Sequence, residues 1–364
     1  MKQIVRLYSK HMANTTRKIR VGDIHIGGGA PVVIQSMTNT PTKDIDATVV
    51  QILRLEAAGC ELVRVAVPDM ESALCLGAIK ERIHIPLAAD IHFDYKLALA
   101  AIEQDVDKLR LNPGNIKDPV KIKLIADKAG ERGIPIRIGV NAGSIDRKRY
   151  GEPTPESMVQ CALDEVQLLE SRGFRDIILS LKSFDVPSAI ASYRLASQTT
   201  DYPLHLGITE AGLIRQGTIR SAVGIGALLA EGIGDTFRVS LTADPVEEIV
   251  VALEILKALN MRQSGYTIIS CPTCARCGID LERVATEVDA RLSVIEGIPP
   301  LKIAVMGCVV NGPGEARDAD AGIAGAEDGA VVFAQGHALR RVSVEHMVDE
   351  LLIEVHRIID GDGR

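Results

Sequence analysis

Four of the seven cysteines in the chain fall in two short segments rich in turn-forming residues. The first segment is Cys271-Pro-Thr-Cys274-Ala-Arg-Cys277, and the second is Gly307-Cys308-Val-Val-Asn-Gly-Pro-Gly-Glu315. Thiolates at this spacing can converge on one metal centre, either a tetrahedral zinc ion or an iron–sulfur cluster. Unrelated buried thiols are the alternative. The Cys-Pro-Thr-Cys sequence suits neither a helix nor a strand, so packing explains it poorly.

Strand-length apolar runs alternate with helical patterns before the cysteines. A short hairpin is predicted over residues 17–30. The apolar runs then fall at 31–37, 62–67, 86–91, 108–112, 135–140, 176–182, 203–208 and 236–241. Eight strands alternating with helices predict a (β/α)8 TIM barrel. A doubly wound open sheet is less favoured, and no Gly-x-Gly-x-x-Gly motif follows the first strand.

This alternation stops after Leu259, which predicts a second domain. A strand at 266–270 leads into the first cysteine segment, and a strand at 301–306 leads into Gly307-Cys308. We also predict helices at 280–295 and 344–359, a loop at 316–330 and a strand at 330–334. The expected organisation is a TIM barrel that binds substrate at 1–262, followed by a small α/β domain at 263–364 that carries the cysteines.

Composition narrows the choice of partner and compartment. The formal net charge is −7, tryptophan is absent and aromatic residues make up 3% of the chain, so no nucleic-acid partner is expected. No apolar run is long enough to cross a bilayer, and the N-terminus lacks an apolar segment of signal-peptide length. We therefore expect a cytoplasmic protein with reduced thiols and no membrane partner.

Polar residues occupy several of the alternate positions in the predicted barrel strands. Because side chains alternate across a strand, the apolar residues face the helices and the residues between them face inward. The inward cations are Arg64, Arg110, Arg137, Lys182 and Arg238, and the inward carboxylate is Asp90. Loop carboxylates such as Glu210 or Asp244 could pair with these cations. Five buried cations otherwise indicate an anionic ligand, with two phosphates, at the C-terminal mouth of the barrel.

Further polar residues could contact this ligand. Asn112, Asn141, His205 and Ser240 share the inward phase or follow it at a strand end. Glycines in 112–115 and 139–144 would let backbone N–H groups approach a phosphate. His92, beside Asp90, and Glu210, just past the seventh strand, are candidates for the catalytic acid or base.

The residues alone leave three functions open. One is a reductase in which an iron–sulfur cluster delivers electrons to a diphosphate bound in the barrel. Another is a phospho-sugar aldolase or lyase with a structural zinc domain, in which Lys182 forms a Schiff base. The third is a non-enzymatic sensor of a phosphorylated ligand, with a domain that a metal ion holds together.

Five motifs together resemble one family, the 4-hydroxy-3-methylbut-2-enyl diphosphate synthases of the methylerythritol phosphate route to isoprenoids. The resemblance runs from about residue 16 to about residue 350. The motifs are Cys271-Pro-Thr-Cys274, Met306-Gly-Cys308-Val-Val-Asn-Gly-Pro-Gly-Glu315, Gln35-Ser-Met-Thr-Asn-Thr40, Ala89-Asp-Ile-His-Phe-Asp94 and Arg110-Leu-Asn-Pro-Gly-Asn115.

The resemblance implies that Cys271, Cys274, Cys308 and Glu315 hold a [4Fe–4S] cluster. As a hard ligand, the carboxylate of Glu315 should leave its iron more readily than a thiolate, which assigns it a catalytic role. Cys277 departs from the family pattern, and we predict that it is not a ligand.

The implied reaction is reductive ring-opening and dehydration of 2-C-methyl-D-erythritol 2,4-cyclodiphosphate. Its two electrons would come from reduced ferredoxin or flavodoxin. The chain has no large insert between its two domains, so it resembles the shorter bacterial form. The resemblance then implies a homodimer in which the cluster domain of one subunit caps the barrel of the other.

Overall fold

The computed structural model describes residues 16–92, 94–111, 118–295, 297–308, 316–326 and 329–361, and everything structural below concerns these residues. The chain divides into two compact units, Met1–Met261 and Arg262–Arg364. Within the described ranges, no helix has the length and apolar character needed to cross a bilayer.

The first unit is built around a ring of parallel strands. The strands are β3 (Val33–Met37), β4 (Leu62–Val67), β5 (Leu87–Ile91), β6 (Lys108–Leu111), β7 (Ile136–Asn141), β8 (Ile177–Lys182), β9 (His205–Leu206) and β10 (Thr236–Phe237). They are hydrogen-bonded in the order β8-β7-β6-β5-β4-β3-β10-β9, and a parallel bridge from Leu179 to Leu204 joins the two ends. This arrangement confirms the predicted TIM barrel.

Helices separate the strands and cover the outside of the ring. They are α1 (Ile45–Ala57), α2 (Met70–Leu74), α3 (Leu76–Lys80), α4 (Tyr95–Glu103), α5 (Pro119–Arg132), α6 (Arg147–Tyr150), α7 (Pro155–Glu170), α8 (Val186–Thr199), α9 (Ile214–Ala230) and α10 (Pro245–Ala258). Several begin at an aspartate whose carboxylate accepts a first-turn N–H, as at Asp118, Asp185 and Asp244. Proline follows or lies next to each of these caps, where its missing N–H costs no hydrogen bond.

The N-terminal end of the ring is covered by the predicted hairpin. Strands β1 (Ile19–Val21) and β2 (Ile24–Ile26) pair antiparallel. Their buried side chains pack against apolar residues near the starts of four barrel strands: Val33, Leu62, Ala88 and Ile178. The barrel interior therefore has an apolar layer at this end on four strands, whereas β6, β9 and β10 begin with Lys108, His205 and Thr236.

In its described residues, the second unit is a five-stranded mixed sheet with two helices. Its elements are β11 (Tyr266–Ser270), α11 (Leu281–Leu292), β12 (Leu301–Met306), β13 (Ala321–Ala326), β14 (Gly329–Ala334), β15 (His337–Val342) and α12 (Met347–Asp360). Strands β11, β12 and β13 are parallel, whereas β14 and β15 extend the sheet antiparallel. The apolar faces of both helices pack on the sheet.

The predicted loop at 316–330 is wrong over β13, and β15 was not predicted. Strand β13 reads Ala-Gly-Ile-Ala-Gly-Ala, a composition that disfavours strands when taken alone. Its small residues are explained by close packing, because a Cβ on Gly322 would lie 2.4 Å from Cζ of Phe333 and 2.8 Å from Cβ of Ala304. Burial between two neighbouring strands outweighs the weak local propensity.

Candidate active site

The five predicted cations all lie in the barrel strands or at their ends, with their side chains inward. Arg64, Arg110, Arg137 and Lys182 are buried, and Arg238 is half-buried. The alternation of strand side chains thus located the cations correctly.

Sequence reasoning missed a sixth inward cation, Lys108. It is fully buried, and its Nζ donates to Oε1 of Gln35 across the barrel at 3.0 Å. Burial lowers the pKa of Lys108 far below its usual value, and the neighbouring charges of Arg137 and Arg64 lower it further. The alternation of side chains along the strand could have identified Lys108 as inward, because it lies two residues before Arg110.

Asp90 is paired as its strand position predicted. Its carboxylate lies 3.0 Å from Nη1 of Arg110 and 3.4 Å from Nε of Arg64. Burial acts to raise the pKa of Asp90, but the charges of Arg64 and Arg110 outweigh it and hold the pKa at about 2. Asp90 therefore stays ionised and fixes two of the guanidinium groups.

A second buried carboxylate, Glu248, was also missed. It extends from helix α10, is 2% exposed, and accepts from Nε and Nη2 of Arg238 at 3.0 and 2.9 Å. The two loop carboxylates proposed as partners do not serve this purpose. Asp244 caps α10 and pairs with Arg54, and Glu210 is exposed in a turn. Strand alternation could not find Glu248, because it comes from a helix.

The described interior carries more positive than negative charge. Arg137 is 1% exposed, and its Nη1 donates to Oγ of Ser180 at 3.2 Å, whereas its Nε and Nη2 have no partner among the described residues. A guanidinium remains protonated in proteins, so this buried charge calls for an anion. Within the described residues, Lys182 has no carboxylate within 4.0 Å of its ammonium. Burial, followed by the charge of Arg137, lowers the pKa of Lys182 far below its usual value.

A methionine sulfur lies between two of the arginines. Sδ of Met37 accepts from Nε and Nη2 of Arg64 at 3.2 and 3.0 Å and from Nη1 of Arg238 at 3.5 Å. A thioether is a weak acceptor, so it orients these donors without neutralising their charge. The sulfur therefore leaves the positive charge of both guanidinium groups unchanged, and only Asp90 and Glu248 balance that charge among the described residues.

The remaining predicted polar residues have different environments. Nε2 of His92 lies 3.4 Å from Nη1 of Arg110, and Asn141 and Ser240 are half-buried at strand ends. His205 is fully buried, with Nδ1 3.4 Å from Oγ1 of Thr236, and its Nε2 has no partner in the part of the chain that the structure describes. Burial and the charge of Arg137 lower the pKa of His205 far below its usual value, so the ring is neutral. Asn112 and Glu315 lie outside the described residues.

The second unit brings the two cysteine segments together. Strands β11 and β12 are parallel neighbours, so the loops that follow them leave from the same edge of the sheet. The N–H of Gly307 donates to Sγ of Cys271 at 3.3 Å, and the N–H of Gly278 donates to the carbonyl of Gly307 at 2.9 Å. Over the ranges that the structure describes, no three His, Cys, Asp or Glu side chains form a group that could hold a single metal ion.

The thiols in this region are not equivalent. Hydrogen bonds from the backbone and side chain of Arg276 lower the pKa of the exposed Cys274 thiol, which favours the thiolate. Sγ of Cys277 instead donates to the carbonyl of Ile279 at 3.1 Å. It also lies beneath Gly307, where an added Cβ would be 2.5 Å from it. The acceptor role of Cys271 and the lowered pKa of Cys274 suit thiolate ligands of an iron–sulfur cluster, whereas Cys277 is a packed donor.

Fold and site define a TIM barrel with buried arginines and lysines in its interior, followed by a small cysteine-bearing α/β unit. The GcpE TIM-barrel domain matches residues 16–253, and the GcpE protein C-terminal domain matches residues 267–357. The chain belongs to the GcpE family, which confirms the resemblance inferred from the motifs.

Curated relatives match almost the whole chain. The protein from Caldanaerobacter subterraneus subsp. tengcongensis is 54% identical over 96% of this chain and 98% of its own length. Those from Geobacter sulfurreducens and Geobacillus kaustophilus are 56% and 55% identical over 96% and 95% of this chain, and 99% and 92% of their own lengths. All three are named 4-hydroxy-3-methylbut-2-en-1-yl diphosphate synthase (flavodoxin). These relatives give no support to a phospho-sugar aldolase or lyase.

Proposed function

We propose that this protein reduces 2-C-methyl-D-erythritol 2,4-cyclodiphosphate to 4-hydroxy-3-methylbut-2-enyl diphosphate with loss of water. The observation that carries the proposal is the excess of buried positive charge in the barrel. Among the described residues, four inward arginines and two inward lysines face two carboxylates, Asp90 and Glu248, so the arginines alone outnumber the carboxylates. A cyclic diphosphate supplies the missing negative charge, and the names of the curated relatives point to the same chemistry.

Some cations of the proposed site are paired with a buried carboxylate, and others are not. Asp90 holds Arg64 and Arg110, and Glu248 holds Arg238, so these guanidinium groups are oriented before a ligand arrives. Arg137 and Lys182 have no such counter-charge and would gain most from a phosphate. Asn112, Asn141, His205 and Ser240 remain proposed polar contacts to the same ligand.

Ring-opening with loss of water consumes two electrons and one proton. We assign the proton to His92 or Glu210, since both lie near the C-terminal ends of strands, where active sites of TIM barrels are built. Nε2 of His92 is close to Nη1 of Arg110, so a bound phosphate would alter its charge environment directly. Glu210 is exposed to solvent in a turn.

The electrons require a redox group, and we assign a [4Fe–4S] cluster to Cys271, Cys274, Cys308 and Glu315. When bound, such a cluster supplies single electrons to the substrate. The N–H of Gly307 and the groups of Arg276 would stabilise thiolate charge on Cys271 and Cys274. Cys277 is excluded from the set because its thiol donates to Ile279.

The family names support a flavodoxin as the electron donor, and we retain ferredoxin as the second donor to test. We also propose a cytoplasmic homodimer in which the cluster unit of one subunit caps the barrel of its partner. That arrangement would bring a cysteine-bound cluster to a ligand held by barrel cations.

The test is anaerobic reconstitution with iron and sulfide, followed by assay with the cyclic diphosphate and reduced flavodoxin. We expect about four irons per chain, an electron paramagnetic resonance signal on reduction, and formation of the linear diphosphate. Alanine at Lys182 or Arg137 should weaken binding of the cyclic diphosphate by about 1–3 kcal/mol and leave the iron content intact. Ordinary affinity in both variants would refute the assignment of the barrel site.

A further inference from the structure

Two glycines face the barrel interior at the level of the cations. Gly139 lies within β7, two residues after Arg137, and Gly207 follows β9, two residues after His205. Both are buried, and neither has the left-handed backbone that would require glycine. Because glycine weakens a strand and any L-residue could adopt this backbone, the reason for glycine must lie in the space beside each Cα.

At Gly139 that space is filled by an arginine. A Cβ added there would lie 2.9 Å from Nε and 3.3 Å from Nη2 of Arg110, and 3.3 Å from Oγ of Ser180. Arg110 in turn reaches Asp90 with its Nη1 at 3.0 Å. A methyl group at position 139 would therefore push the guanidinium away from the place in which Asp90 holds it.

At Gly207 the space is filled by a lysine. An added Cβ would lie 2.7 Å from Nζ and 2.9 Å from Cε of Lys182, and 3.0 Å from the carbonyl oxygen of Arg238. The ammonium of Lys182 lies at the free end of a flexible chain, so it would be displaced before the backbone moves. The sequence suggested that glycines in 139–144 serve backbone approach to a phosphate, whereas Gly139 lies inside a strand and accommodates a side chain.

We infer that Gly139 and Gly207 are positioning residues, which set the places of the Arg110 guanidinium and the Lys182 ammonium by leaving room for them. The inference deepens the proposed function, because it takes these two cations as ligands of the cyclic diphosphate. Each glycine acts through one cation: Gly139 through Arg110, and Gly207 through Lys182. The two pairs are therefore separable by experiment.

Double-mutant cycles on the reconstituted enzyme test this pairing. The Gly139→Ala variant should bind the cyclic diphosphate about tenfold more weakly, as expected for one displaced charged hydrogen bond. In an Arg110→Ala background the same change should have almost no further effect, since the displaced group is gone. In a Lys182→Ala background it should keep its full effect. Gly207→Ala should have almost no further effect in the Lys182→Ala background and its full effect in the Arg110→Ala background.

The chain offers a matched control in Gly226 of helix α9, where an added Cβ meets nothing within 4 Å. Gly226→Ala should leave ligand affinity unchanged and maintain or raise the melting temperature, because alanine favours a helix. Melting temperatures and iron contents of the barrel variants show whether a loss of binding reflects unfolding. Should Gly207→Ala fail to fold, the Gly139 cycle decides the inference alone.

A tenfold loss from Gly139→Ala that persists in the Arg110→Ala background would overturn the inference. Crystal structures provide a second test that does not depend on the substrate. If the wild-type enzyme does not bind the cyclic diphosphate, the proposed function fails, and the Gly139→Ala structure then decides the positioning role. An Arg110 guanidinium that still lies 3.0 Å from Asp90 in that variant would refute it.

Discussion

Replacing Glu248 with glutamine should destabilise the barrel, although Glu248 belongs to none of the sequence motifs. The carboxylate is 2% exposed and accepts four hydrogen bonds, two from Arg238, one from Oγ of Ser36 at 2.9 Å and one from the N–H of Leu241 at 3.1 Å. Glutamine keeps the shape but removes the charge, and it turns an NH2 group towards donors. Arg238 would then lack its counter-charge.

Removing one partner of a buried ion pair costs about 3–5 kcal/mol. For a unit of this size, each kcal/mol lowers the melting temperature by about 2–4 °C, so we expect a decrease of roughly 6–20 °C. Calorimetry or circular dichroism of the purified enzyme measures it. Glu247→Gln, one residue earlier on the same helix, is the matched control and should change stability by no more than about 0.5 kcal/mol.

A double replacement separates charge from packing. Glu248→Met combined with Arg238→Met removes both charges and should recover much of the lost stability, while affinity for the cyclic diphosphate stays low. A Glu248→Gln protein that melts within 2 °C of wild type, on the same scale, would refute the reasoning. In that case Arg238 would not depend on this carboxylate.

Three further predictions concern other parts of the site. Serine at Cys271, Cys274 or Cys308 should abolish full iron loading after anaerobic reconstitution, whereas Cys277→Ser should load normally; the opposite pattern would refute the ligand assignment. The pKa of Asp90 is about 2 in the folded protein and about 3.9 in the unfolded chain. Ionised Asp90 therefore stabilises the folded state above pH ~4, and this contribution is lost as the pH falls towards 2. The stability gap between wild type and Asp90→Asn should therefore narrow by about 2–3 kcal/mol across that window in urea titrations, and a constant gap would contradict it. Met37→Leu conserves volume but removes the sulfur acceptor, so affinity for the cyclic diphosphate should fall by about two- to tenfold with little change in melting temperature, and unchanged affinity would show that the sulfur only fills space.

The sequence was informative wherever a short period governs the structure. Alternation along single strands placed Arg64, Arg110 and Arg137 inside the barrel, because the side of a strand depends only on nearby residues. It failed for Glu248, which reaches the interior from a helix by a contact that no local pattern encodes. Strand β13 was missed for a related reason, since its small residues make sense only against Phe333 and Ala304 of neighbouring strands.

The ligand set of the cysteine segments was predictable only in part. Spacing and turn residues indicated a metal centre, but they did not separate Cys277 from the other thiols. The proposed exclusion of Cys277 is supported by its contact with the carbonyl of Ile279 and by the close approach of Gly307, both of which are three-dimensional contacts.

The hairpin of β1 and β2 covers the end of the barrel from which its strands start. Ile19, Val21 and Ile26 pack on the end from which the strands start, so we expect substrate and product to use the opposite end. Substrate, product and the water released must then use the same opening in turn. Product has to leave before the next substrate enters, and any structure that covers the opening controls both events at once.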